Sequence, residues 1–161
     1  VIANRDETAE QTLKKEVKDR VVTYLRSKMN QAASIQAARQ VICQEMDALK
    51  EIAEKKIRQE GYDYPVTVSL GTTYFPVKEY GDMAFPAGDY EALRVQIGKS
   101  KGRNWWCVMY PSLCLVDGVY QTVPENSKDK LKQVLSTSEY QSLVDGGEDV
   151  QFRLRFFDWL F

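Results

Sequence analysis

The chain has 161 residues, 43% of them apolar and 28% charged, with 22 Lys plus Arg against 23 Asp plus Glu. That size and composition suit one self-supporting domain over 1–161, and the near-neutral balance argues against a dedicated nucleic-acid binder. Histidine is absent, which excludes Ser-His-Asp and Cys-His catalysis and every His-ligated zinc site, and leaves acid–base work to Asp, Glu, Lys or Tyr. The three cysteines cannot complete an all-Cys zinc site, so neither metal nor other cofactor is expected. No apolar run approaches the ~18 residues of a membrane span. The opening Val1-Ile2-Ala3, without Met, reads as a mature form from which an export segment has been removed.

Thr8-Ala9-Glu10-Gln11 fits a capping box, and Leu13, Val17, Val21, Tyr24 and Leu25 follow at helical spacing, predicting a helix from Thr8 to about Asn30. Ser34 is a good N-cap for a second helix, whose stripe Ile35, Ala38, Ile42, Met46, Leu49, Ala53 and Ile57 runs to about Glu60 before Gly61 stops it. The pair predicts a helical hairpin occupying about residues 1–61. Cys43 lies beside the second stripe and reads as a small buried hydrophobe.

From about residue 62 the period falls to two. Val66, Val68 and Leu70 alternate with Thr67 and Ser69, and Thr72-Thr73-Tyr74-Phe75 extends the strand. Tyr80-Gly81-Asp82 and Pro86-Ala87-Gly88-Asp89 signal turns around a short Met83-Ala84-Phe85, and Leu93, Val95 and Ile97 mark another strand. Gly98 to Asn104 is a polar loop, followed by an apolar strand block from Trp105 to Val116. A helix is predicted from near Ser127, with Leu131, Val134 and Leu135 on one face. A second capping box, Ser138-Glu139-Tyr140-Gln141, opens a short helix through Val144, and Phe152 to Phe156 alternates as a closing strand. The fold class expected is α+β: an N-terminal helical hairpin packed with an antiparallel sheet, plus a C-terminal helix and closing strand.

Few residues suggest catalysis. Gly98-Lys99-Ser100 resembles the end of a phosphate loop, but the glycine needed five residues earlier is Leu93. The loop then reads as a solvated hairpin connection whose Lys99, Lys101 and Arg103 are candidates for meeting an acidic partner or an anionic membrane surface. Asp117-Gly118 and Asp145-Gly146 lack the Thr or Ser of the aspartic-protease triplet and are ordinary turn chemistry. Asp89 and Glu91 share a strand face as a carboxylate pair, or simply face solvent. Cys107 and Cys114 bracket six residues; with a chain reversal at Tyr110-Pro111-Ser112 they could form a disulfide, or they are two reduced core thiols. The adjacent Trp105 and Trp106, on a strand, would point to opposite faces, one into the core and the other toward a covering helix or a partner; a core strand with both faces covered is the simpler alternative.

Phe85-Pro86-Ala87-Gly88-Asp89-Tyr90-Glu91-Ala92-Leu93-Arg94-Val95, then Ile97-Gly98, Gly102-Arg103-Asn104-Trp105-Trp106-Cys107-Val108 and Pro111-Ser112-Leu113-Cys114, resemble the stage II sporulation protein R family. The opening Val1-Ile2-Ala3-Asn4 and the helix with Leu13-Lys14-Lys15-Glu16-Val17-Lys18-Asp19 are similar to that family's start after its export segment. Arg5 stands where the family has Ser, and Ser112 where it often has a second Pro.

The resemblance implies a signal rather than an enzyme. Its members are exported from the forespore of endospore-forming bacteria into the space between forespore and mother cell. There they activate a membrane-embedded aspartic protease of the mother cell, which processes a sigma factor precursor. Export favours the disulfide between Cys107 and Cys114, with Cys43 reduced. Clustered aromatics place the partner contact at Trp105, Trp106, Met109, Tyr110 and Pro111, with Lys101 and Arg103 at its rim. Two other classes compete: an extracytoplasmic hydrolase using Asp89, Glu91 or Asp117, which a pocket of converging carboxylates would favour, and a structural envelope component, which a large self-complementary interface would favour.

Overall fold

The computed structural model describes residues 1–29, 32–107 and 123–145. The chain divides into two compact units, residues 1–73 with 91–106, and residues 74–90 with those from 107 onward. The architecture is α+β, with N-terminal helices, a small sheet and C-terminal helices. The predicted closing strand, Phe152 to Phe156, lies outside the described residues.

The first unit is built on three helices. Helix α1 (Thr8–Met29) begins at the expected residue with a different cap. The Glu7 carbonyl accepts the Gln11 amide at 3.0 Å, so the cap position is Glu7 rather than Thr8. Gln11 donates its side-chain amide to Arg5 O and Asp6 Oδ1, at 3.0 and 3.1 Å, tying the helix start to the segment before it. Leu13, Val17, Val21 and Leu25 are all at most 3% exposed and form the buried stripe of α1.

The predicted second helix is two. Ser34 caps α2 (Ile35–Gln44) as expected, accepting the Ala37 amide at 3.1 Å. The helical run breaks at Glu45 and resumes as α3 (Met46–Gln59). Nothing in the apolar period signals this break, because the stripe keeps its phase across it. The junction is tied to α1: the Glu45 carboxylate accepts from Tyr24 OH and pairs with Lys28 Nζ at 3.0 Å. Leu49, Ala53 and Ile57 of α3 pack fully buried, and α3 lies against α1. Leu49 and Ile57 each contribute about 1.5–3 kcal/mol by leaving water, and the Ala53 methyl less. Gly61, at φ 83°, ends α3 with two bonds of a Schellman turn, its own amide to Arg58 O and the Tyr62 amide to Ile57 O. Cys43 corrects a sequence expectation: it is exposed, because one residue past the buried Ile42 turns it about 100° away from the core.

Strands β1 (Val66–Phe75) and β4 (Gly88–Ile97) pair as a two-stranded sheet. In the first unit Val66, Val95 and Ile97 are buried, as the alternation predicted.

In the second unit β2 (Lys78–Tyr80) and β3 (Met83–Phe85) form an antiparallel hairpin in which Tyr80 faces Met83. The two-residue turn uses Gly81 at φ 59°, a conformation glycine adopts without strain. Helix α4 (Glu125–Val134) starts after Pro124, and α5 (Thr137–Val144) follows. The capping box of α5 is made by Ser136 with Glu139, two residues before the Ser138 expected from the sequence. Glu139 sits at the third helical position, where its carboxylate reaches back to the Ser136 amide at 2.7 Å. Tyr80, Met83, Val123, Leu131 and Leu143 form this unit's core, with Phe85, Leu135 and Tyr140 packed on it. Asp82, in the hairpin turn, accepts the Val123 amide and pairs with Lys128 Nζ, both at 2.7 Å, fixing the turn to the start of α4. Among the described residues no helix is long and apolar enough to cross a membrane.

Candidate partner-binding site

The loop after β4 keeps its basic side chains exposed, but it is not a plain hairpin connection. It closes over the first residues of the chain, and that is the largest correction to the sequence reading. Ile2 donates to Val95 O at 2.9 Å and accepts from the Ile97 amide at 3.1 Å, so residues 1–4 run beside the end of β4. On their other side the amides of Lys101, Gly102 and Trp105 donate to Asn4 O, Ala3 O and Val1 O at 3.1, 3.0 and 2.8 Å. The Val1 nitrogen in turn lies 3.0 Å from Trp105 O and 3.2 Å from Asn104 Oδ1. Ala3 is 0% exposed.

Two glycines make the approach possible. A Cβ at Gly102 would stand 2.2 Å from Arg5 O, and one at Gly98, itself at φ 54°, would stand 2.4 Å from Asn4 Oδ1. Both distances are well inside van der Waals contact, so backbone and side chain can meet there only because both residues are glycine. The spacing Gly98…Gly102 was visible in the sequence, but nothing local says what approaches it.

Side chains fix the register. Asn4, 4% exposed, accepts the Lys99 amide through Oδ1 at 2.9 Å and donates Nδ2 to Glu10 Oε1 at 3.0 Å. Tyr64 OH donates to the same Glu10 oxygen at 2.7 Å, and this bond to a carboxylate holds the phenol's pKa above its ordinary value. Asp6 Oδ1 accepts the Arg103 amide at 2.6 Å. Lys14, 7% exposed, donates to Gln11 Oε1 at 2.7 Å and Arg103 O at 3.1 Å. Burial, and then the neighbouring Arg103 charge, lower its pKa. Lys18 Nζ stands 5.0 Å from the centre of the Trp105 ring.

The structure brings together four of the seven residues expected at a partner contact. Lys101 and Arg103 are exposed, and Trp105 and Trp106 are both half-buried. The expected strand does not extend through Trp105, Trp106 and Cys107; Asn104 makes one isolated bridge to Ile2. Met109, Tyr110 and Pro111 lie outside the described residues, as do Cys114 and Asp117. Cys43 is a free thiol. The two carboxylates of the hydrolytic reading part company: Asp89 is exposed, whereas Glu91 pairs with Arg39 at 2.9 Å. Among the described residues no group of three His, Cys, Asp or Glu could hold a metal ion.

Residues 1–120 match the family model of stage II sporulation protein R. The stage II sporulation protein R of Bacillus subtilis (strain 168) is 35% identical over 130 residues, which cover 81% of this chain and 58% of that protein. The chain therefore spans less than two thirds of the length of that relative. No solved structure matches.

Proposed function

From this chain's membership of the stage II sporulation protein R family, we propose that it is an exported signal of sporulation that activates a membrane-embedded aspartic protease. In this reading it acts in the space between forespore and mother cell, and the activated protease processes a mother-cell sigma factor precursor. The observation that carries it is the family match over residues 1–120, which takes in α1 to α3, all four strands and the whole closed loop. The absence of histidine supports a ligand rather than an enzyme, as does the engagement of Glu91 with Arg39.

The contact is assigned to Trp105, Trp106, Met109, Tyr110 and Pro111, with Lys101 and Arg103 as steering charges. Half-burial of both tryptophans beside two exposed cations supports this choice, since such aromatics are common anchors of interfaces. A disulfide between Cys107 and Cys114 would hold the Met109-Tyr110-Pro111 tip and lower the ordering loss on binding.

The test is reconstitution of the purified chain with the membrane protease and its precursor substrate. Cleavage that depends on the chain is expected; equal cleavage without it overturns the reading. Alanine at Trp105, Trp106, Met109 or Tyr110 should weaken binding by ~2 kcal/mol or more if that residue is a true anchor. Full activation by all four well-folded variants would move the contact elsewhere.

A further inference from the structure

We infer that residues 1–6 are the positioning element of the contact segment: seated between the end of β4 and residues 101–105, they hold Trp105 and Trp106 in the orientation a partner meets. The inference rests on the reading of those tryptophans as the contact.

The loop leaves β4 through a tight turn, with the Ser100 amide bonded to Ile97 O at 3.1 Å and both Gly98 and Ser100 at positive φ. Beyond that turn its amides at Lys101, Gly102 and Trp105 all donate to residues 1–4. Trp105 is bonded to Val1 through both its amide and its carbonyl. The backbone at Trp105, immediately before Trp106, is therefore held by the opening segment.

That segment is itself fixed at two side chains. Asn4 is bonded to the loop at Lys99 and to α1 at Glu10, so it joins the two elements directly. Asp6 repeats the arrangement, accepting from Arg103 in the loop and from Gln11 in α1. Lys14 completes the connection by donating to Arg103 O from α1. A displaced opening segment would leave the amides of Lys101, Gly102 and Trp105 without these acceptors and the Trp105 ring without its seat beside Lys18.

The experiment compares Gly102→Ala, Asp6→Ala and Asp6→Asn in the full chain by amide exchange and by protease activation. The added methyl of Gly102→Ala meets Arg5 O and should unseat the segment. Asp6 is 58% exposed at its side chain, so its variants fold even if Gly102→Ala does not. Amides of residues 99–106 should exchange at least about tenfold faster in Gly102→Ala and severalfold faster in Asp6→Ala, while those of α3 stay within about twofold. Asp6→Asn keeps the acceptor oxygen and should restore both protection and activation. Unchanged exchange over 99–106 in Gly102→Ala and Asp6→Ala overturns the inference. So does a loosened loop with full activation, when Trp105→Ala alone abolishes it. Full activation by both Trp105→Ala and Trp106→Ala overturns the contact reading, and the positioning role with it; faster loop exchange in Gly102→Ala and Asp6→Ala would then still show that residues 1–6 order the loop.

Discussion

Asn4 is where the closed loop can be weighed most directly. Its side chain is buried and makes two hydrogen bonds, one accepted from the Lys99 amide and one donated to the Glu10 carboxylate. A neutral bond contributes about 0.5–1.5 kcal/mol and one to a charged group about 1.5–3 kcal/mol, so Asn4→Ala should destabilise by about 2–4 kcal/mol. In a chain of this size that lowers the melting temperature by roughly 5–15 °C. The replacement also leaves the Glu10 carboxylate, whose Oε2 already has no hydrogen-bond partner, with Tyr64 as its remaining side-chain donor.

Asn4→Asp separates the two bonds. The aspartate keeps an acceptor for the Lys99 amide but places a second carboxylate about where Nδ2 now meets Glu10 at 3.0 Å. Two carboxylates that close cannot both ionise without penalty, so one folded-state pKa rises above its unfolded value. A raised carboxyl pKa means the folded state binds the extra proton more readily. The deficit against wild type should therefore be largest near neutral pH and shrink as pH falls through the raised value. The assay is urea denaturation of wild type, Asn4→Ala and Asn4→Asp at pH 7 and at pH 4.5. A loss below about 0.5 kcal/mol for Asn4→Ala, or a pH-independent deficit for Asn4→Asp, would refute the account of the buried Asn4–Glu10 bond.

Asp82 has its pKa lowered, first by Lys128 and then by the Val123 amide. Its contribution should therefore be present above the ordinary carboxylate range and vanish as pH falls through the lowered folded value; Asp82→Asn should remove that acid-side dependence in denaturation of the second unit. Leu49 is 0% exposed between α3 and α1, so Leu49→Ala should cost about 2–5 kcal/mol in chemical denaturation, and a loss under 1 kcal/mol would contradict its burial. Iodoacetamide should mark Cys43 in the folded, unreduced protein and Cys107 and Cys114 only after reduction; labelling of either without reductant contradicts the proposed disulfide. Asp89→Ala and Glu91→Ala should each retain protease activation, and loss of activation with folding and partner binding intact would revive the hydrolytic reading.

The elements that could be read from the sequence are those whose stability is written in nearby residues. The stripe Leu13, Val17, Val21 and Leu25, the Ser34 cap, the Gly61 stop and the alternation around Val66 and Val95 all depend on spacings of a few residues, and all appear where expected. The misplaced details have partners farther away. The junction at Glu45 has its side-chain partners in Tyr24 and Lys28, about twenty residues earlier. The Ser138 cap lost to Ser136 because Glu139 lies three residues after Ser136, and the charged capping partner outweighs the Gln141 that Ser138 would have used.

The closed loop is the extreme case, because its partners stand about a hundred residues apart in the chain. Gly98 and Gly102 look like ordinary turn glycines until the backbone that approaches them is known, and Asn4 looks like an exposed polar residue near an end. Three basic residues in seven suggested a solvated loop, yet the polar groups that matter most there are backbone amides, which every residue carries and composition cannot report. The family resemblance drew attention to Gly102-Arg103-Asn104-Trp105-Trp106 as a block, and a block of that kind invites the idea that all five residues meet a partner. The geometry divides their work instead. Gly102 makes room, the Arg103 backbone links Asp6 to Lys14, and Asn104 faces Val1, while the two tryptophans stay half-buried at the surface this support creates. A substitution at Gly102 or Asn104 would act on a partner only through the loop's order, one at Arg103 also through its exposed charge and one in the tryptophans directly, and amide exchange separates the loop's order from the direct effects.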